Sequence, residues 1–336
     1  MTGHLPARET VPRTRVCAAV VTYNRRELLV ECLDALLAQP HPLERLYVVD
    51  NASTDGTADL LGERGLLEDE RVVFERLERN LGGAGGFARA IDRARQDDCD
   101  WIWVMDDDTE PPPEALARLL ASPASGDPAV AALAQKVVST DGGLQLGARG
   151  HFRGRPRPLP AEAYRDGALP DLGFATLVGM LVRAEVARAT DPPRPEFFIW
   201  GDDYEWCLRL RRHGALRLVP DSAIVHKDVG HGFETRRARW VRRLTRLDYG
   251  ATPYAGFWRN MCGIRNYVWM CKHYEGQSAL GAVGTVAQFI VKALRFDERP
   301  FARIPWIVRA GIDGRLGVFH TITPREWSER LAAERR

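Results

Sequence analysis

The chain has 336 residues, 45% of them hydrophobic, enough to bury a sizeable core in two domains or in one with a large extension. Its six cysteines, Cys17, Cys32, Cys99, Cys207, Cys262 and Cys271, include no CxxC pair, which argues against zinc and suits reduced, buried thiols of the cytosol. The net charge of +2 hides an uneven distribution: residues 236–336 hold 19 Lys and Arg against 8 Asp and Glu, a surplus of +11 on a body of −9. Such a basic segment suits an anionic partner, whether phosphate, nucleic acid or an anionic membrane surface; an Arg-rich solvated helical face is the plainer alternative.

Residues 1–15 are polar, lack the apolar run of a secretory leader, and read as a flexible N-terminus. Val16–Thr22 is a continuous apolar run, as in a strand buried on both faces. Arg25–Gln39 places Leu28, Leu29, Cys32, Leu33, Leu36 and Leu37 on one helical stripe, ended by Pro40 and Pro42. Leu46–Val49, Val72–Arg76 and Trp101–Met105 read as further strands, with helices at Thr54–Arg64 and Gly85–Gln96. Strands separated by such helices predict an α/β fold with a mostly parallel sheet, whose ligand sits at the carboxyl ends of the strands. Thr22, Asp50, Asn80 and Asp106–Asp108 all follow strand ends.

Gly142–Asp171, rich in Gly, Pro and Arg, reads as a mobile loop or lid, and Phe174–Val182 as a strand. A helix at Tyr204–His213 follows Asp202 and Asp203 and closes at Gly214. Leu216–Val219 and Ala223–Val225 are short strands, the second ending at His226. From Arg236 the pattern turns helical and basic, which divides the chain into an α/β domain, 16–235, and a helical region, 236–336. Within that region Ala279–Leu294 is the most apolar stretch. Gly281, Gly284 and Gln288 break it and it is too short to span a bilayer, so it reads as a buried or peripheral helix in preference to one lying on a membrane.

Three consecutive aspartates repel one another and call for a counter-cation. Hard oxygen ligands suit Mg²⁺ or Mn²⁺, which in turn hold phosphates. Alternate residues at a strand end face the same way, so Asp106 and Asp108 can share a metal while Asp107 points elsewhere; an acidic turn before Pro111 is the alternative. His226 offers an imidazole that Mn²⁺ accepts, although a lone His is more often structural. Asp202 and Asp203 stand at a helix start, where Asp is a good N-cap; whichever does not cap is a candidate general base. Asp203 is preferred as the base, Asp202 as support or acceptor contact, and Glu205 is a third candidate.

Asn80–Phe87 (NLGGAGGF) is a glycine turn opening a helix, where backbone N–H groups can approach a phosphate. It matches a dinucleotide fingerprint at Gly83, Gly85 and Ala88, but follows the third strand rather than the first, and a ribose hydroxyl needs one acid rather than three. Asp50 can accept from a base N–H or a ribose hydroxyl, while Asn51–Gly56 also suits an Asx-turn before a capped helix. A sugar nucleotidyltransferase would carry glycines after its first strand, where Thr22–Arg26 has none.

Together, Val20–Arg25 (VVTYNR), Val48–Gly56 (VVDNASTDG), Asn80–Gly83, Asp106–Asp108 and Gly201–Trp206 (GDDYEW) resemble the family 2 glycosyltransferases of GT-A fold, from about Val16 to His226. NLGGAGGF, Phe174–Gly179 (FATLVG) and Phe198–Trp206 (FIWGDDYEW) resemble more narrowly the galactofuranosyltransferases of actinobacterial cell-wall assembly and related rhamnosyltransferases. The resemblance implies inverting transfer of a sugar, galactofuranose first, from a nucleotide diphosphate donor, UDP favoured, to a glycan or lipid-linked acceptor hydroxyl. Transfer from dTDP-rhamnose and a catalytically silent glycan-binding relative are the alternatives. It implies that Thr22, Asp50 and Asn80, with Gly82, Gly83 and Asp107, meet the nucleotide. Asp106, Asp108 and His226 would hold Mn²⁺ or Mg²⁺, Asp203 would be the base, Trp200 would pack on the acceptor sugar, and Thr176 and Gly179 would shape the floor. It also implies a cytoplasmic protein, peripheral on the inner face of the membrane through its basic C-terminal region, with no nucleic-acid partner. Two departures stand out: Asn51 replaces a second Asp common in the family, and the C-terminal segment matches only loosely, at Arg265-Asn266-Tyr267.

Overall fold

The computed structural model describes residues 13–152, 156–227, 251–274, 279–319 and 323–333. The first part alternates strand and helix: β1 Val16–Thr22, α1 Arg26–Leu37, β2 Arg45–Asp50, α2 Thr57–Glu63, β3 Val72–Arg76, α3 Gly82–Ala94 and β4 Trp101–Asp106. These four strands are parallel in the order β3-β2-β1-β4. Every residue of β1 is buried, because α3 covers one face of the sheet and α1 the other. Then come β5 Thr109–Glu110, α4 Ala115–Ala121, β6 Val130–Val138, β7 Arg149–Phe152, β8 Pro156–Pro158, β9 Asp171–Leu172, β10 Phe174–Ala175, β11 Met180–Arg183, α5 Ala184–Ala189, α6 Asp202–Leu210 and β12 Ala215–His226. The sheet continues from β4 through β11, β6 and β12 to β5, with β11 antiparallel to both its neighbours. Among the described residues four helices follow: α7 Phe257–His273, α8 Ala279–Arg295, α9 Pro300–Leu316 and α10 Pro324–Ala333.

The structure departs from the sequence pattern where distant contacts decide. Phe174–Val182 is not one strand. β10 joins a small antiparallel sheet with β7 and β8, β11 joins the main sheet, and Thr176–Gly179 crosses between them, turning at Gly179 (φ 68°). The stretch 142–171 is therefore partly strand rather than all loop; residues 153–155 lie outside the described residues. Leu216–Val219 and Ala223–Val225 belong to one strand, β12, whose register against β6 shifts between Val219 and Ala223. Helix α2 starts at Thr57 rather than Thr54, because Asp55 accepts from the Thr57 hydroxyl and the Arg26 N–H within the preceding turn. Helix α3 starts at Gly82, three residues before its predicted start. The proposed boundary at 235/236, the basic stretch 236–250 and residues 1–12 lie outside the described residues.

One buried amide ties the sheet together. Trp103 Nε1 on β4 donates to Gln135 Oε1 on β6 (3.0 Å), and Gln135 Nε2 donates to Ser222 Oγ (3.0 Å) and Ala223 O (2.8 Å) at the irregularity in β12. Ser222 Oγ donates onward to Ala115 O in α4 (2.7 Å). Gln135 is fully buried, so losing its amide strands an indole N–H and a carbonyl away from water. Gln135→Leu, close in volume, should lower unfolding stability by about 2–5 kcal/mol, read from the denaturant midpoint.

Candidate active site

The carboxyl ends of β1, β2 and β4 carry the predicted polar residues to one edge of the sheet. Thr22 and Asp50 are register partners on neighbouring strands, and Thr22 Oγ1 and Asp50 Oδ2 are both buried without a hydrogen-bond partner. Arg76 Nε stands 3.4 Å from Asp50 Oδ2, while Asp50 Oδ1 accepts from Ser53 N (2.9 Å). Asn80 Oδ1 is occupied locally, accepting from Gly82 N (2.7 Å) in an Asx-turn. Gly82 is needed for a close approach: a Cβ there would lie 2.1 Å from Phe198 O. Gly83 lines the cleft described below. Asn51, the departure from the family pattern, has a structural task. Its Nδ2 donates to Gly82 O (2.8 Å) and its Oδ1 accepts from Leu81 N (2.8 Å), which pins the glycine turn against β2.

Only Asp106 belongs to β4; Asp107 and Asp108 lie in the turn that follows it, and both approach Arg25 Nη1, at 3.4 Å and 2.6 Å. Asp107 turns to the first strand end, accepting from Tyr23 N (3.3 Å); burial pushes its carboxyl up to about 6. Asp108 accepts from Arg25 Nη1 (2.6 Å), and His226 Nε2 stands 3.3 Å from its other oxygen. Burial acts to raise the Asp108 carboxyl, but His226 and Arg25 outweigh it and hold it below the usual carboxylate range. Asp106 is raised well above that range by burial, then by the charges of Asp108 and Asp107. His226 reaches this cluster because β12 pairs with β5, which sets it opposite Thr109. Its Nδ1 is 2.9 Å from Gln145 Oε1, an orienting contact from a residue the motifs did not single out.

Asp202 and Asp203 open α6, but the N-cap is Gly201 and no side chain caps the helix. Asp203 Oδ1 accepts from Tyr204 N (2.7 Å). Burial, then the charge of Asp202, pushes Asp203 up to about 8, and burial pushes Asp202 up to about 6. Glu205 differs from both. It is fully buried, its Oε2 accepts from Arg209 Nη2 (2.7 Å), its Oε1 from Arg194 Nε (3.3 Å) and from the Tyr274 hydroxyl. That engagement makes it a support for α6 and leaves no oxygen for an acceptor hydroxyl, so Glu205 is withdrawn as a candidate base.

Two cavities meet at these residues. One of about 780 Å³ is lined by Gly83, Asp106, Gln145, Asp202 and His226. The other, about 740 Å³, is lined by Arg157, Tyr267, Thr285, Gln288 and Phe289. Thr176, Trp200 and Asp203 line both. Thr176 is fixed by Arg149, a fully buried guanidinium that donates to Gln135 O, Ala148 O, Val178 O and the Thr176 hydroxyl; burial pushes it down to about 10. Gly179 itself faces the core, where a Cβ would meet Gln135 Oε1 at 2.6 Å. Trp200 sits on a strained loop: Phe198, Trp200 and Gly201 all have positive φ. Asn266 on α7 holds that loop, its Nδ2 reaching Phe197 O (2.9 Å), Ile199 O (3.2 Å) and Trp200 O (2.7 Å), with Arg265 Nη2 on Phe197 O (2.9 Å).

A model of the family described as Glycosyl transferase family 2 matches residues 17–189, just over half of the chain. The chain belongs to glycosyltransferase family 2. Over 207 residues this glycosyltransferase is 35% identical to galactofuranosyltransferase GlfT1 of Mycolicibacterium smegmatis, covering 59% of this chain and 66% of that one. It is 37% identical to galactofuranosyltransferase GlfT1 of Mycobacterium tuberculosis, covering 59% and 65%. The match thus spans just under two thirds of these relatives' length. Among solved structures, S. aureus TarS 1–349 in complex with UDP superposes with a TM-score of 0.53 at 14% identity, covering 95% of this chain and 92% of that one. The mannosyltransferase PcManGT from Pyrobaculum calidifontis in complex with GDP-Man and Mn²⁺ gives 0.50 at 18% identity, covering 90% and 87%. At such identity the likeness shows the fold alone, and that fold is GT-A, as the motifs implied.

The raised Asp203 carboxyl has a consequence for stability. Its folded form binds a proton more tightly than the unfolded chain, so its contribution falls as pH rises from the ordinary carboxylate range to about 8. Asp203→Asn removes that penalty and keeps an acceptor for Tyr204 N. The variant should gain melting temperature over the native protein at pH 8.5, and gain less at pH 5, by thermal unfolding across pH.

Proposed function

We propose that this family 2 glycosyltransferase moves a sugar, galactofuranose first, from a UDP-sugar to a hydroxyl of a glycan or lipid-linked acceptor, with inversion at the anomeric carbon. The observation that carries the reading is the meeting of two cavities at Asp203 and Trp200. Transfer needs a donor and an acceptor in contact with one base and screened from each other elsewhere. The acid-lined cavity suits the nucleotide diphosphate sugar; the cavity with Tyr267, Gln288 and Phe289 suits a sugar acceptor, which takes stacking and hydrogen bonds together. The names of the relatives favour galactofuranose.

Among the described residues no three His, Cys, Asp or Glu side chains form a ready metal cage. The donor set still fits a hard cation. Asp108 Oδ1 is buried without a hydrogen bond, and Asp106 suffers burial beside two like charges, a penalty a divalent ion would relieve. Asp106 and Asp108 would hold Mn²⁺ or Mg²⁺ with His226 beside them, and the ion would offset the charge of the departing nucleotide diphosphate. The neighbour that carries GDP-Man carries Mn²⁺ as well.

The remaining steps use this chain's own groups. Thr22 Oγ1 and Asp50 Oδ2, register neighbours buried without a hydrogen bond, would offer hydrogen bonds to the nucleoside, with Arg76 beside Asp50. Trp200, half exposed on its strained loop, gives the acceptor sugar a flat face. Asp203 Oδ2 takes the proton of the acceptor hydroxyl as its oxygen attacks the anomeric carbon. A base raised to about 8 strengthens proton capture but must first be ionised, so kcat/KM should climb with pH towards about 8. The reach to a lipid-linked acceptor, and peripheral contact with a membrane through the basic C-terminal region, belong to the same proposal.

A thermal-shift panel of UDP, dTDP, GDP and NAD, each with and without Mn²⁺, tests the donor. A shift with UDP that grows with Mn²⁺ is expected; a dTDP preference moves the donor to dTDP-rhamnose, and a metal-independent NAD shift overturns the reading. Asp203→Asn should lower transfer at least about a thousandfold while UDP affinity by calorimetry stays within about twofold. Loss of both together would make Asp203 structural.

A further inference from the structure

Eleven large hydrophobic side chains are exposed among the described residues, and eight of them lie on α8 and α9. The largest exposures are Leu280 (81%), Phe301 (77%), Val283 (67%) and Leu316 (67%), with Val308 and Ile312 between them. The two helices pack side by side, and an apolar groove of about 650 Å³ runs between them over Val283, Ala287, Ile290, Val308 and Ile312. The inner faces of both helices are already satisfied: Ala282, Val286, Phe289 and Ala293 on α8, and Ile307 and Ala310 on α9, pack on α7 around Phe257 and Ile264. The outward stripe is therefore surplus to the core. An exposed apolar patch of this extent marks a binding surface.

Charge selects the occupant. Helix α8 contains no Asp or Glu, and the one acid of α9, Asp313, accepts from Arg309 Nε (2.8 Å). Both acids of the connecting turn face the protein: Asp297 accepts from Lys292 Nζ (2.8 Å) and Thr252 N (2.8 Å), and Glu298 accepts from Tyr254 N. Lys272 and Arg315 line the groove, and Arg295 closes α8. A second copy would bring a basic rim against a basic rim, whereas an anionic lipid surface attracts it. No helix among the described residues is long and apolar enough to cross a membrane, so contact of this pair with a bilayer would be interfacial.

We propose that the outward face of α8 and α9 docks on an anionic lipid bilayer by inserting its apolar stripe beneath a basic rim. Helix α8 is then the wall between two phases. Thr285, Gln288 and Phe289 line the acceptor cavity, while Leu280 and Val283 enter the headgroup and acyl boundary. The docking deepens the lipid-linked reading of the acceptor, which would reach that cavity from the membrane one helix away.

Flotation of the full chain with phosphatidylcholine vesicles, with and without about one third phosphatidylglycerol, tests it. Binding to the anionic vesicles is expected, with part of it surviving about 0.5 M NaCl, because apolar insertion is not screened. The double variant Val283→Glu, Ile312→Glu places acids on two solvent-facing positions and should leave the UDP thermal shift intact while vesicle binding falls at least tenfold. Transfer to a short water-soluble acceptor should stay within about twofold, and transfer to an acceptor embedded in vesicles should fall with binding. Vesicle binding by the variant at the native level overturns the proposal. So does a native dimer in sedimentation that the variant converts to monomer without native vesicle binding, which would assign the face to self-association. Vesicle binding that responds to the variant, in a protein that transfers sugar to neither acceptor, would uphold the docking and remove the transferase reading instead.

Discussion

Asp106, Asp202 and Asp203 line one cleft, Asp107 and Asp108 lie in the turn that follows Asp106, and like charges held so close repel strongly. Much of the local architecture can be understood as a response to that repulsion. Arg25, at the start of the first helix, reaches back across the strand ends to Asp107 and Asp108. The short β5 turns the chain just after the triplet so that β12 can pair with it, which brings His226 to Asp108. Arg149 is buried near enough to attract Asp203, while its donors tie down the loop that lines both cavities. Arg25 compensates Asp106 only in part, and burial with the charges of Asp108 and Asp107 keeps its carboxyl raised. The divalent cation proposed above would offset that repulsion at Asp106 and Asp108.

The sequence made the first half legible because its signals are local. A continuous apolar run between polar boundaries can hardly be other than a buried strand, and β1, β2 and β4 follow that rule, while β3 is only half-buried. Aspartates immediately after such a strand fall at the sheet's carboxyl edge for the same reason. The misreadings concern residues whose partners are far away in the chain. Phe174–Val182 is apolar throughout, so nothing local reveals that its two ends serve different sheets; only Gly179, with a positive φ, hinted at a break. Glu205 looks like Asp203 in sequence, yet Arg194, Arg209 and Tyr274 converge on it from three segments. Gln135, Gln145 and Arg149 carry no motif at all. Their importance comes from burial, full for Gln135 and Arg149 and partial for Gln145, and from hydrogen-bond partners up to 88 positions away.

The loop Phe197–Gly201 shows how the C-terminal helices bear on the chemistry. Two non-glycine residues with positive φ in a stretch this short would relax if left alone, since each conformation costs roughly 1–2 kcal/mol. Asn266 and Arg265 cap the loop's carbonyls from α7, and Ala84 N donates to Phe198 O (3.0 Å) from the glycine turn. The ring of Trp200 also rests on Gly263, where a Cβ would lie 3.0 Å from it. The glycine turn, the acidic pair and the first C-terminal helix are thus one mechanical unit. The loosely matched Arg265-Asn266 element has a concrete task, which a motif comparison alone left undefined.

The same logic explains why Ala279–Leu294 was ambiguous. A helix that is apolar on every side is ordinarily enclosed, either by protein or by lipid. Its sequence therefore reads as a buried or peripheral helix in preference to one lying on a membrane. The structure divides the faces. Ala282, Val286, Phe289 and Ala293 meet the protein, Thr285 and Gln288 line the cavity of about 740 Å³, and Leu280, Val283 and Val291 are exposed. Core packing accounts for the first group and the proposed acceptor for the second. The third is left with an energetic debt to water that only a further apolar phase removes, and α9 presents Val308 and Ile312 across the same groove.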